Sequence, residues 1–153
     1  SSIQVLDAER VWPLRTAILR DWESRRLCVF DEDELESTHH FGVVDEDEVV
    51  HAVVTYIRRP CPEMDDEPGC QLRGMAVAES EQRAGLGTRL LEASLPKLAL
   101  AEPDAQILWC NAREHAVGFY ERLGFETIGE LFEVEGIGTH VVMWRKMPEL
   151  IVG

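Results

Sequence analysis

The chain has 153 residues, of which 45% are hydrophobic and 29% charged, as is typical of a globular domain large enough to bury a sizeable core. Its formal net charge of −14 argues against nucleic acid and anionic membrane surfaces as partners, because both bind basic patches. No apolar run reaches the length of a membrane span and no signal peptide is visible, so we expect one cytoplasmic domain over residues 1–153.

The four cysteines form no metal-binding or disulfide pattern. None has C-x-x-C spacing, so we expect neither a zinc site nor a dense disulfide framework, and no other metal. Cys28 and Cys110 lie in apolar runs and are predicted to be buried thiols. Cys61 and Cys70 flank a loop, and whether they ever pair stays open; a reducing compartment is the default.

The first part of the chain predicts a strand, a helix and a β-hairpin. Residues 3–6 alternate as a short strand does. Apolar residues then recur every three or four positions, which predicts a helix over about residues 8–26 with Pro13 in its first turns. Two β-rich runs, 39–44 and 49–58, flank four acidic residues and predict a hairpin with a solvated turn.

The rest of the chain alternates strands and helices. A proline-rich loop precedes an apolar strand over 72–78 and a helix from Gly85, in which Pro96 predicts a kink or an early end. The later predicted elements are a buried strand over 107–111, a helix over 114–123 stopped by Gly124, and two closing antiparallel strands over 125–134 and 140–147. This order predicts a mixed α/β sheet with helices on both faces.

Two glycines stand between the 72–78 strand and the following helix. The first N–H groups of a helix lack internal partners, and the aligned peptide dipoles make that end partly positive. Gly85 and Gly87 carry no Cβ that would keep an anion away from these groups. The stretch therefore predicts a phosphate site, most readily for a pyrophosphate; the alternative is an ordinary helix start with two glycines.

Two common phosphate-binding motifs do not fit this stretch. A P-loop needs Lys and then Ser or Thr after its last glycine, and here Thr88 and Arg89 follow Gly87. A dinucleotide-binding fold needs a third glycine where Leu90 stands. What remains is Q-x-x-G-x-G, over residues 82–87.

This motif follows LRGMAV at 72–77 and precedes HAVGFYERLGF at 115–125, and the combination resembles the GNAT superfamily of acetyltransferases. The resemblance runs from the hairpin to near the end of the chain and is weakest in the first 38 residues. It implies a GNAT fold, an α/β architecture with a mixed central sheet of about seven strands, splayed in the middle. It also implies acetyl-CoA as cofactor and direct transfer of its acetyl group to a primary amine within a ternary complex.

The same resemblance implies which residues hold the cofactor. The backbone of the 75–77 stretch would receive the pantetheine arm, and the Val77 N–H would polarise the thioester carbonyl. Asn111, at the end of a strand, would bond the pantetheine chain, although asparagine is also common in such turns. The expected cofactor-binding residues are Met75, Ala76, Val77, Gln82, Arg83, Ala84, Gly85, Leu86, Gly87, Thr88, Asn111 and Phe119.

Tyr120 resembles the superfamily's tyrosine that protonates the departing thiolate. A phenol with a pKa near ~10 is well matched as an acid to a thiol with a pKa near ~8.5. The alternative is a core aromatic at helical spacing. We therefore predict that Tyr120 is catalytic.

The general base is less constrained. His39, His40, His115 and His140 are candidates, with the acidic residues of the 125–134 strand behind them, and water could also remove the proton. We predict that His140 is catalytic and contributes to proton removal or substrate binding, because it follows the glycine-bearing loop GIGTH and opens a strand that in the GNAT fold is expected to border the splayed cleft. His40 and Arg113 are predicted to bind the substrate; Arg113 would hold a carboxylate or simply pair with an acid.

The acceptor amine stays unidentified at this stage. A small-molecule amine is the first expectation, and the acidic net charge would steer a cationic one or serve only for solubility. Two alternatives stay open: a non-catalytic domain that binds acyl-CoA or regulates, and a protein or peptide N-acetyltransferase. Whether the chain forms a homodimer is also open.

Overall fold

Seven strands and three α-helices make up the regular structure of the residues that the computed structural model describes, which are 1–19 and 27–150. The strands are β1 (Ser2–Val5), β2 (Thr38–Val44), β3 (Val50–Arg58), β4 (Gly69–Val77), β5 (Ile107–Arg113), β6 (Glu126–Val134) and β7 (Gly138–Lys146). The helices are α1 (Ala8–Leu19), α2 (Leu86–Ala101) and α3 (Val117–Arg122).

The strands form one mixed sheet in the order β1-β2-β3-β4-β5-β7-β6. All neighbouring strands are antiparallel except β4 and β5, which run parallel. The α2 helix connects these two parallel strands, as a crossover connection requires. The predicted mixed sheet of about seven strands is confirmed.

The sheet opens in its middle. β4 and β5 pair only over three residues each, Gly69–Gln71 with 107–109. Beyond them β4 stays paired to β3 and β5 stays paired to β7, so the two halves of the sheet separate. The register between β3 and β4 also shifts near Gly74, which has a φ of 62°, and such a bulge bends its strand. The predicted splay is therefore confirmed.

The helices cover the two faces of the sheet. The face that we call the α2–α3 face packs apolar strand residues such as Leu72 and Leu108 against Leu90, Leu95 and Tyr120. The opposite face, the α1 face, packs α1 against the first half of the sheet. Across the second half of the α1 face, Trp109 and its neighbours pack against the 59–68 connection instead of a helix.

Pro96 does not end α2, contrary to the sequence-based prediction. The helix continues to Ala101, five residues beyond the proline. Pro96 and Glu92, the residue whose carbonyl loses its partner, both lie on the exposed side of the helix, where water can satisfy that carbonyl. The buried Leu95 and Leu98 hold the next turn against the sheet.

Other boundaries differ by small amounts. α1 is described as far as Leu19, and the predicted continuation to residue 26 lies outside the described residues. The helix predicted over 114–123 is a 3-10 turn, Glu114–Ala116, followed by α3. The four cysteines are all buried free thiols, Cys61 and Cys70 included.

Contrary to the sequence-based prediction, β7 does not border the opening. β5 lies between β7 and the gap, because β5 pairs with β7 along its whole length. A residue at the start of β7 therefore faces the gap across one intervening strand. His140, near the start of β7, is therefore separated from the gap by β5.

Candidate active site

The open edge of β4 presents backbone groups to the gap. Ala78 N donates to His51 O on the β3 side at 2.8 Å. Adjacent residues of a strand direct their backbone groups to opposite edges, so Val77 directs its own N–H and C=O towards the gap. Its carbonyl there accepts a hydrogen bond from Gln82 Nε2 at 3.0 Å. The Val77 N–H, predicted to polarise a thioester, thus lies on the correct edge.

The start of α2 carries several backbone donors without acceptors in the described part of the chain. The first turn of α2 holds no acidic residue and its N-cap makes no side-chain bond. Such a helix start attracts anions through free N–H groups and the helix dipole. The unpaired donors are the backbone N–H groups of Arg83, Gly85, Leu86, Gly87 and Thr88.

The two loop glycines have different structural roles. Gly85 has a φ of 80°, and a Cβ added to it would meet no atom within 4 Å. A Cβ on Gly87 would lie 3.0 Å from Met75 Cε and 3.3 Å from the Phe119 ring. Gly85 therefore faces open space beside the free donors, whereas Gly87 allows β4, α2 and α3 to pack closely.

The side chains around this loop differ in their contacts and exposure. Gln82 ties the loop to β4 through its bond to the Val77 carbonyl. Arg89 turns away from the loop and donates to Ser1 O at 2.9 Å. Arg83 is exposed, with a φ of 73°. Ala76 is buried on the α1 face, so only its backbone can reach a ligand in the gap.

Tyr120 lies on the α2–α3 face among aromatic rings. Its ring centroid is 5.1 Å from that of Phe119 and 5.3 Å from that of Phe125, both in edge-to-face arrangements. Burial raises the pKa of the Tyr120 phenol above its ordinary value, with smaller contributions from Cys110 and Tyr56. The phenol is therefore protonated at neutral pH, the form that an acid catalyst needs, but its raised pKa makes it a weaker acid than an ordinary phenol and less closely matched to a thiol.

His140 lies on the α1 face, buried to 6% exposure. Its ring stacks on Phe132 with centroids 5.7 Å apart, and its Nδ1 lies 2.9 Å from Gly138 O. A carbonyl oxygen only accepts hydrogen bonds, so the neutral ring must carry its proton on Nδ1. That assignment leaves the Nε2 lone pair available as a base.

Asn111 and Arg113 lie on the same face as His140. Arg113 stands directly opposite His140 in the β5–β7 pairing, and Asn111 stands opposite Val142. Residues directly opposite each other share a face of the sheet. Asn111 is exposed. Arg113 Nη2 reaches across to Leu19 O at the end of α1, at 3.4 Å.

His40 lies in a closed polar network rather than at a surface. Its Nε2 lies 2.8 Å from the Asp33 carbonyl and its Nδ1 lies 2.7 Å from Thr55 Oγ1. The ring is 4% exposed, and burial lowers its pKa below 6.5, although Asp33 opposes that shift. Both ring nitrogens are therefore occupied, and the predicted contact of His40 with a substrate has no free nitrogen to use in this arrangement.

The network is centred on Arg15, a fully buried arginine of α1. Its guanidinium bonds both carboxylate oxygens of Asp33, at 2.7 and 3.1 Å, and also Thr55 Oγ1 and Cys28 O. Burial alone would raise the pKa of Asp33; the hydrogen bonds from Arg15, the Phe30 N–H and Trp12 outweigh it and lower that pKa below 3.8. Sequence reasoning missed Arg15, because an arginine in an amphipathic helix is normally solvated.

The other candidate bases lie elsewhere. His39 bonds Glu102 at 3.0 Å, beyond the C-terminal end of α2 and so at the opposite end of that helix from the free donors. His115 lines an open depression with Arg113, Glu114, Ile137 and Thr139. Glu133 accepts a hydrogen bond from the Thr139 hydroxyl.

Among residues 1–19 and 27–150, no group of three or more His, Cys, Asp or Glu side chains is arranged to hold a metal ion. No helix within these ranges has the length and hydropathy of a membrane span.

Comparison with known proteins identifies the family. A family model for an acetyltransferase (GNAT) domain matches residues 28–146. The protein described as "Uncharacterized N-acetyltransferase YitI" of Bacillus subtilis (strain 168) is 32% identical over 145 residues, which are 95% of each chain.

Solved structures agree on the fold. ElaA of Escherichia coli has a TM-score of 0.76 at 20% identity, covering 94% of this chain and 98% of its own. An aminoglycoside 6'-N-acetyltransferase complexed with coenzyme A has a TM-score of 0.70 at 15% identity, covering 99% and 100%. With the domain match and the YitI relative, the chain belongs to the GNAT acetyltransferase family and is an acyltransferase.

Proposed function

We propose that the chain transfers the acetyl group of acetyl-CoA to a primary amine by direct attack. The observation that carries the proposal is the gap between β4 and β5, with the free donors of α2 at its edge, Tyr120 on one face and Arg113 and His140 on the other. A structural relative was solved with coenzyme A, which supports the choice of cofactor.

Each residue then has a defined task. The N–H groups at the start of α2 bind the pyrophosphate, and the Val77 N–H polarises the thioester carbonyl. His140 takes a proton from the amine at Nε2, directly or through water, since β5 separates it from the gap. The Tyr120 hydroxyl donates a proton to the departing thiolate. The amine thus loses one proton and the departing thiolate gains one, so the reaction is balanced in protons.

A matched pair of substitutions tests the pyrophosphate site. The test compares Gly85→Asn with Gly85→Asp. Asparagine and aspartate adopt the left-handed backbone conformation more readily than other non-glycine residues, and at position 85 either side chain would point into open space. The aspartate carboxylate would neutralise the free N–H groups and repel phosphate, so coenzyme A affinity should fall at least about tenfold further than in Gly85→Asn. Calorimetry with coenzyme A measures this; equal affinities in the two variants would reject the loop assignment.

Turnover separates an enzyme from a non-catalytic acyl-CoA-binding domain. Thiol release from acetyl-CoA is followed in the presence of a mixed panel of amines. In a transferase, the rate of thiol release rises with the concentration of the acceptor amine. A binding domain binds coenzyme A but shows no release that depends on the acceptor. Binding without release across the whole panel would contradict the proposed reaction.

A further inference from the structure

The α1 face beside the gap carries two arginines that the cofactor-binding set does not use. Gln71 pairs with Trp109 at the last point where β4 and β5 meet. Because side chains alternate along strands, Arg73 on β4 and Arg113 on β5 share that face. The pairing of Arg113 with His140 places this face on the side of the proposed base.

Arg73 is held in place by a stack. Its guanidinium carbon lies 3.9 Å from the centroid of the Phe30 ring, and the guanidinium carbon of Arg15 lies 4.0 Å from the same centroid. Arg15 is itself fixed by the buried Asp33. Phe30 therefore orients the Arg73 guanidinium on the α1 face, in an arrangement in which cation–π contacts stabilise it.

The donors of Arg73 are largely free. Within the described residues its side chain makes no hydrogen bond, and its closest acid, Glu32, lies 3.9 Å away. Glu32 is closer to Arg59, at 3.1 Å, and hydrogen-bonds to it. One carboxylate thus faces two guanidinium groups, and one positive charge stays uncompensated.

Arg113 has a similar excess of donors. Within residues 1–19 and 27–150, its one hydrogen bond is the long contact to Leu19 O, and no acid of these ranges lies within 4.0 Å of it. A guanidinium offers five N–H donors in a planar fork that fits a carboxylate. The two guanidinium groups therefore make this part of the α1 face locally positive, whereas the protein as a whole has a net charge of −14.

We propose that the acceptor is a small amino acid, an amine that also carries a carboxylate, and that Arg73 and Arg113 bind this carboxylate on the α1 face beside His140. This inference rests on the proposed function. A polyamine or another purely cationic amine would meet these two positive charges without compensation, which opposes the steering that the acidic net charge alone suggests. An α-amino or ω-amino carboxylate satisfies the arginines and presents its amine to the base.

Matched ligands test the inference by binding. Amino acids, including β-alanine and γ-aminobutyrate, are compared with their amides and with putrescine and spermidine in thermal-shift and calorimetric titrations of the coenzyme A complex. Ligands stabilise by mass action, so a bound amino acid raises the melting temperature. We expect at least one amino acid to bind about tenfold or more tightly than its amide, as a lost charged pair implies.

Three substitutions locate the contact. Arg73→Gln and Arg113→Gln should each bring the affinity for the amino acid down to that for its amide. Arg122→Gln, at an exposed arginine of α3, removes the same charge and should keep the difference. Loss of the difference in all three variants would mean a general charge effect and would overturn the proposal.

The two proposals can fail separately. An amide or polyamine that binds as tightly as any amino acid, or no stabilisation by any amino acid, overturns the carboxylate site whatever the turnover. Absence of acceptor-dependent thiol release, with amino acids still bound through Arg73 and Arg113, overturns the reaction and leaves the carboxylate site standing.

Discussion

Tyr120 and His140 lie on opposite faces of one sheet, and both belong to the half of the sheet on the β5 side of the gap. A ligand that enters the gap from the α2–α3 face and an amine that arrives from the α1 face would meet between them. In the proposed reaction, proton removal and proton delivery are separated in space, so the two residues need no contact with each other. This separation explains why each can be tested alone.

Tyr120→Phe should lower kcat by about a hundredfold or more, the range of general acid catalysis. Stability and coenzyme A affinity should hardly change, because the Tyr120 hydroxyl makes no hydrogen bond in the described part of the chain. Tyr56→Phe is the control: it removes a buried bond to Ser94 Oγ of 2.7 Å, and should cost about 1 kcal/mol of unfolding free energy without lowering kcat. A kcat within about twofold of the parent would reduce Tyr120 to packing.

His140→Gln should lose activity while coenzyme A still binds. The glutamine keeps a donor for Gly138 O but offers no basic nitrogen. His39→Gln, at the far end of α2, should change neither activity nor binding. An unchanged rate in His140→Gln would make His140 structural.

At the scale of elements, the buried network of Arg15, Asp33, His40 and Thr55 joins α1, the loop after it, β2 and β3. Its hydrogen bonds hold Phe30, and through Phe30 they orient Arg73 beside the gap. The network therefore connects the stability of the first half of the sheet with the orientation of Arg73, which belongs to the proposed acceptor site. A buried network of this kind is costly when one member is charged or removed.

This network makes stability depend on pH. The pKa of His40 is lowered by burial, so below about pH 6.5 the unfolded chain binds a proton that the folded chain does not. Stability should therefore fall as the pH drops from 7 to 5, by at most about 1.4 kcal/mol per pH unit from this group. His40→Gln should flatten that slope in thermal melts, and His115→Gln, at an exposed histidine, should not. An equal slope in the parent and His40→Gln would contradict this origin.

The sequence predicted the elements better than the contacts between them. Hydrophobic periodicity and the glycines near Gly85 are local signals; they identified the strands and α2, and they predict an anion-binding turn at the start of α2. Pro96 was misjudged because only the fold tells which side of α2 it occupies. Arg15 was missed as the centre of a buried network, and the stacking of Arg73 on Phe30 was not foreseen, since their partners lie far away along the chain and no spacing connects them.

At the scale of the whole molecule, positive groups are concentrated near the gap although the net charge is strongly negative. The net charge is −14, yet the first turn of α2 carries no acid, Arg83 is exposed beside it, and Arg73 and Arg113 lie at the gap. In the proposed function, a polyanionic cofactor approaches a repulsive molecule and binds at a locally attractive surface. Backbone donors, whose partial charges act over short range, would hold it there.

Binding of coenzyme A should accordingly depend on salt in an unusual way. Raising NaCl from about 20 to about 500 mM shortens the screening length and suppresses the long-range repulsion, so the association rate should rise. The contacts with backbone N–H groups are short and weakly screened, so the dissociation constant should change by less than about threefold. Arg83→Gln removes an exposed local cation and should steepen the rise in association rate. Stopped-flow binding measures both rates; an affinity that falls tenfold or more with salt would mean that side-chain cations, and not the start of α2, hold the cofactor.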